Sequence, residues 1–218
     1  MTLPPDLPET LRRAWLALLG SFGAPAPAAA RLFDELAGAY AGPGRHYHNL
    51  EHLAEVLAVI DELAGSCADP AAVRLAAWFH DAVYDPRRPD NEQRSAEYAV
   101  SSLRPLGVPE VSLARVAAMI RATAHTGSDP ADADTAVLLD ADLAILGAPA
   151  ERYRRYADAV RQEYAWVPDA QYRAARARVL ESFLQRPRIY RTDRLHAERE
   201  EAARRNIAAE IAQLGSGG

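Results

Sequence analysis

Apolar residues recur every three to four positions along most of this chain, the spacing of helices that bury one face. The stretch from 50 to 63 is typical. Leu53, Val56, Leu57 and Ile60 share one side, and Asn49 stands ahead of them as an N-cap. No convincing alternating run of β-branched residues competes with this pattern, and no Asn-Gly or Asp-Gly hairpin turn occurs. Proline, glycine and capping residues then divide the chain. Helices are predicted over Thr10–Leu19, Ala26–Tyr40, Leu50–Leu63 and Pro70–His80. Further helices are predicted from a cap at Asp90 or Asn91 through Leu103, and over Pro109–Ala124, Ala136–Leu146, Ala150–Tyr164, Asp169–Gln185 and Thr192–Leu214. Thr126–Asp134 reads as a polar turn. With no repeat, low-complexity block or linker, the expectation is one compact all-α domain over residues 1–214, followed by a disordered tail, 215–218.

Composition narrows the class. Apolar residues make up 49% of the 218 positions, enough for a substantial core. A net charge of −5 argues against nucleic acid as a partner. The single cysteine, Cys67, rules out an internal disulfide and fits a reducing compartment. No apolar run is long enough to span a membrane, and Met1–Asp6 lacks the basic start of a secretion signal, so a cytoplasmic protein with no membrane partner is expected.

One place breaks the amphipathic pattern. The apolar run Leu75–Phe79 ends abruptly in His80 and Asp81. Charge next to a buried segment is costly unless something binds it. His48 and His52 lie upstream; His125, Asp140 and Asp142 lie downstream, the two aspartates embedded among leucines and alanines. Imidazole nitrogen and carboxylate oxygen together suit a divalent cation. His48 and His52 are one helical turn apart, but with Asn49 as the cap His48 falls just outside the helix, which makes His52 the better ligand. His80 and Asp81 point about 100° apart in a regular helix. They can reach one ion only where the helix ends. Either Asp140 or Asp142 could complete the set, the other serving as a cap.

At these residues the chain resembles the HD superfamily of metal-dependent phosphohydrolases, whose pattern H…HD…D reads here as His52, His80-Asp81 and Asp142. It is most similar to small bacterial proteins of that superfamily, in Tyr47–His52, Phe79–Asp85, Asp90–Ala96 and Asp140–Gly147, over roughly residues 10 to 210. The resemblance implies an all-α HD bundle with the metal between central helices, His52, His80, Asp81 and Asp142 as its ligands, and Asp140 as a supporting or capping partner of Asp142. It implies one divalent ion (Mn, Fe, Co, Ni, Mg or Zn). His125 stands where some HD enzymes carry an extra histidine, for a second ion or a substrate phosphate, although the paired histidines of dinuclear members are missing.

The expected activity is hydrolysis of a small phosphorylated substrate, a nucleotide being one option, as phosphomonoesterase or phosphodiesterase. Asp81 would orient water, and Glu92 would act as an acid/base group or cap its own helix. Arg45, His48, His125 and Arg94 are the candidate phosphate contacts, with Arg121 a weaker one. Two alternatives stay open: a non-catalytic, metal-dependent ligand-binding module, and a di-iron oxygenase of the same fold. Tyr153, Tyr156, Tyr164 and Trp166 read as packing of a helical hairpin. The last helix, with Arg199, Arg204 and Arg205 interleaved with glutamates, reads as a solvated face and a candidate surface for a homo-oligomer.

Overall fold

The computed structural model describes residues 6–125 and 132–216. Among the described residues there are ten α-helices and no strands: α1 (Leu7–Gly20), α2 (Ala26–Tyr40), α3 (Leu50–Glu62), α4 (Pro70–Phe79), α5 (Asn91–Leu103), α6 (Glu110–Ala122), α7 (Ala133–Leu143), α8 (Ala150–Glu163), α9 (Asp169–Leu184) and α10 (Asp193–Gly215). Short 3-10 turns extend α3, α5 and α7. None of the helices is long and apolar enough to cross a membrane.

The boundaries follow local chemistry. Asn49 accepts from the backbone N–H groups of Glu51 and His52 and starts α3. Asp69 and Asp132 do the same for α4 and α7, and Pro70 occupies the first helical position, where its missing N–H costs nothing. At α5 the expected caps do other work. Asp90 is paired with Arg88, and the Asn91 side chain stitches the preceding loop by bonding the backbone N–H and C=O of Asp85. The predicted turn over Thr126–Asp134 covers residues 126–131, which lie outside the described residues. Its last two positions belong to α7, because the Asp132 cap brings the helix start forward to Ala133. Of the predicted tail, Gly215 ends α10 and residues 217–218 lie outside the described residues.

α4 is the axis of the molecule. Leu75, Ala76, Ala77, Trp78 and Phe79 are all buried, which explains why the second half of this helix is apolar all round. α3, α6 and α7 pack around it, and α5 pairs with α6. The α1–α2 hairpin covers one end through Trp15, whose ring lies 5.0 Å from Trp78 and whose indole N–H donates to the Ala29 carbonyl. The core continues into α8 and α9 through Tyr153, Tyr156, Val160, Leu180 and Phe183, and into α10 through Leu195, Ala203 and Ile207.

α10 departs from the solvated face its charge pattern predicts. Glu200 is buried and accepts from the backbone N–H groups of Ile189 and Tyr190. Glu210 is buried against Arg176 and the Tyr153 hydroxyl. These carboxylates satisfy donors contributed by the neighbouring chain segments. Sequence spacing on α10 alone carries no sign of that.

Candidate functional site

α3 supplies His52 from its first turn, with the ring turned inward and 2% exposed. α4 ends at Phe79, so His80 and Asp81 leave the helix there and can converge. α7 brings Asp142 from its last turn. Three chain segments far apart in sequence therefore meet. The Nε2 atoms of His52 and His80 are 3.2 Å apart. Asp81 Oδ2 lies 3.1 Å from His80 Nε2 and 3.6 Å from His52 Nε2. Asp142 Oδ1 lies 3.4 Å from His52 Nε2 and 3.6 Å from His80 Nε2. His52, His80 and Asp81 could hold a metal ion.

The donor set fits one. His80 Nδ1 lies 2.8 Å from the Ala77 carbonyl, a partner that only accepts, so Nδ1 keeps its proton and Nε2 is the atom that a metal ion could claim by displacing a proton. Both histidines are buried, while Asp81 and Asp142 keep 18% and 17% of their side chains exposed, which leaves the carboxylates as the open side. Burial opposes charge in all four groups, yet their mutual pairing outweighs it. Asp142 and Asp81 hold the His52 imidazole above its ordinary pKa, and Asp81 holds His80 well above it. In return, His80 and His48 draw Asp81 far below the carboxylate range, and His125, His52 and His80 do the same for Asp142. Such a cluster stabilises a positive charge among its atoms, whether proton or metal ion.

The other predicted residues separate into those that border the site and those that do not. His48, Glu92 and His125 line a cavity of about 620 Å³ that also touches His80, Asp81 and Asp142. His125 Nε2 sits 2.8 Å from Asp142 Oδ2, so in this structure it supports that carboxylate, and its φ of 53° places a non-glycine residue in the left-handed region. Its buried Nδ1 has no partner among the described residues.

Arg45, expected at the phosphate, points into the protein instead. Its guanidinium donates to the carbonyls of His48, Asp81 and Ala82, and so ties the His48 loop to the His80-Asp81 corner. Those three carbonyls lie outside regular helix and need donors, which is a stronger call on Arg45 than a substrate. Arg94 is exposed on α5, about 200° around the helix from Glu92, and does not border the cavity. Arg121 clasps Gln93 at the surface. Asp140 is fully buried, but its partners are the N–H groups of Arg191 and Thr192 and the Thr192 hydroxyl, not Asp142. It anchors the start of α10, because neighbours two apart on a helix face different ways.

Sequence reasoning missed Glu163. This buried carboxylate accepts the backbone N–H groups of His46, Tyr47 and His48, takes the Tyr84 hydroxyl at 2.8 Å, and pairs with His48 Nδ1 at 2.6 Å. Burial alone would raise its pKa; His48 and those N–H groups outweigh it and bring the carboxyl down to about 2. In the sequence it closes a polar helix like any surface acid. Tyr47 was also missed. It packs 4.6 Å from the His52 ring, borders the cavity, and buries a hydroxyl with no partner among the described residues.

With this geometry in hand, comparisons with protein-family models, curated proteins and solved structures yield no match.

Proposed function

We propose that this protein is a metal-dependent phosphohydrolase of the HD type, acting on a small phosphorylated substrate. The observation that carries the reading is the meeting of His52, His80, Asp81 and Asp142, the last three of which line a cavity large enough for a small molecule. His52, His80, Asp81 and Asp142 would hold a single divalent ion, with Mn, Fe, Co, Ni, Mg and Zn all compatible with the donor set. When bound, such an ion supplies Lewis acidity toward a phosphoryl oxygen and acidifies water.

The chain's own groups do the rest. Asp81 keeps an edge open to the cavity and orients the attacking water. Glu92, which lines the same cavity, is the group that would accept a proton from that water. His48 has Nδ1 bonded to Glu163, a carboxylate that only accepts, so Nε2 is the ring atom left to meet the substrate, and it donates to a phosphate oxygen only when the ring carries both protons. His125 fixes Asp142 through Oδ2 and keeps Oδ1 on the imidazoles. With Arg45 and Arg94 turned elsewhere and His125 bonded to Asp142, His48 is the candidate side chain left to meet the phosphate.

The test is metal analysis together with a panel of phosphomonoesters and phosphodiesters, assayed with Mn, Co, Ni and Mg. The expected result is about one ion per chain and ion-dependent release of phosphate. Asp81→Ala retains helicity, loses the ion, and lowers kcat/KM by at least about 100-fold, since even the partners of metal ligands contribute 10- to 100-fold. A variant that turns over at the wild-type rate with full metal content removes the mechanism. Tight metal binding with no hydrolysis across the panel would favour the ligand-binding module instead.

A further inference from the structure

The cavity is larger than the His-Asp cluster needs, and part of its wall has a distinct chemistry. The α8–α9 hairpin walls it with Tyr156, Tyr164, Trp166, Tyr172, Val179 and Phe183. The Tyr164 and Trp166 rings lie 28° from parallel. Trp166 and Val179 are each 49% exposed, and among the described residues only Val111 is a more exposed large hydrophobic. Two of these three therefore stand at a single cavity. Apolar area left in water at the mouth of a cavity is area that a ligand can cover favourably.

Arginine on the same walls is scarce, and no lysine lines them. Among the described residues the lining cations beyond the cluster's histidines are Arg88 and Arg176. Arg88 is paired with Asp90 at 2.7 Å. Arg176 is paired with Glu210 at 2.8 Å and bonds the Tyr156 hydroxyl. Arg87, beyond the rim, lies over the Trp166 ring. Asp81, Asp142 and Glu92 add three carboxylates to the lining. With Asp81 and Asp142 taken up by the ion, a second or third phosphate would meet Glu92 on the lining, where both arginines, Arg88 and Arg176, are already paired with carboxylates.

We infer that the substrate is a monophosphate ester of a planar, ring-bearing alcohol, with the phosphoryl group at the His80-Asp81 end and the ring against Trp166 and the tyrosines. This rests on the phosphohydrolase reading. It excludes polyphosphates and small polyol phosphates as preferred substrates. A volume of about 620 Å³ lies within the range of pockets that hold a ligand of this kind.

The experiment uses the full chain loaded with Mn. The substrates are 1-naphthyl phosphate, glycerol 3-phosphate, and a nucleoside monophosphate with its triphosphate. Naphthyl phosphate is expected to exceed glycerol phosphate in kcat/KM by about tenfold or more, the scale of one ring stacked on an aromatic side chain. The nucleoside monophosphate exceeds the triphosphate by a similar factor, and Trp166→Ala collapses the naphthyl preference. In parallel, naphthylphosphonate, which cannot be hydrolysed, is titrated by calorimetry and by tryptophan fluorescence against methylphosphonate. It binds about tenfold tighter and quenches Trp166, because Trp15 and Trp78 are buried in the core. Turnover that favours glycerol phosphate or the triphosphate overturns the inference and leaves the phosphohydrolase reading standing. No turnover of any ester overturns that reading instead. The phosphonates then decide separately: equal affinities overturn the ring-binding inference, and a naphthyl preference upholds it.

Discussion

Glu163 shows how much one side chain decides here. It gathers three backbone N–H groups, a hydroxyl and the His48 ring, and thereby shapes the loop that leads into α3 and His52. Charge-assisted bonds of this kind are about twice as strong as neutral ones. The pH dependence follows from its lowered pKa. A carboxyl whose pKa falls from 4.5 to about 2 on folding contributes stability that is fully present above 4.5 and is lost as pH falls toward 2. Glu163→Gln should therefore lower stability at neutral pH and flatten the acid limb, so that wild type and variant converge near pH 2. Urea denaturation between neutral pH and that point checks it. Parallel curves across the whole range would mean that Glu163 is not the charged hub.

At the scale of elements, the close approach of α10 to the turn after α7 has a single point of vulnerability. A Cβ on Gly147 would stand 2.7 Å from Arg199 Cβ, 2.9 Å from the Arg199 carbonyl and 2.9 Å from the Tyr190 hydroxyl. Two of those atoms belong to α10, which cannot yield without moving the helix. Gly147→Ala is expected to cost about 1–3 kcal/mol by overpacking. In a chain of this size that lowers Tm by roughly 2–10 °C. Gly38, in mid-helix with nothing within 4 Å of the same atom, is the control: Gly38→Ala should leave Tm unchanged or raise it. Equal Tm values for wild type and Gly147→Ala would show that α10 can shift at no cost.

At the scale of the whole molecule, the site ties together three regions that the chain keeps far apart: α3, the end of α4, and α7. An ion bound there stabilises all of them at once, by mass action on the folded state alone. Divalent ion at about 100 times its Kd should add about 2.7 kcal/mol. That raises Tm by roughly 5–10 °C, and a chelator should reverse it. His52→Ala should abolish the shift. A shift of equal size in that variant would place the ion elsewhere on the molecule.

Much of this was legible in the amino-acid order. The helices follow from apolar spacing and from signals such as Asn49 and Pro70, because helix start and stop signals act over one or two turns. The candidate ligands were visible because His80 and Asp81 violate an otherwise apolar run. What local order does not carry is the partner of each charge. Glu163, Glu200 and Glu210 look like surface residues in sequence, Arg45 like a phosphate contact, and Asp140 like a ligand or a cap. Each instead satisfies backbone groups or an opposite charge contributed by a segment distant in the chain. Tertiary packing alone chooses among equivalent arginines and carboxylates, since burying an unpaired donor costs more than any local propensity can offset. For the same reason the cavity's aromatic wall, contributed by α8, α9 and the segment between them, exists only in three dimensions.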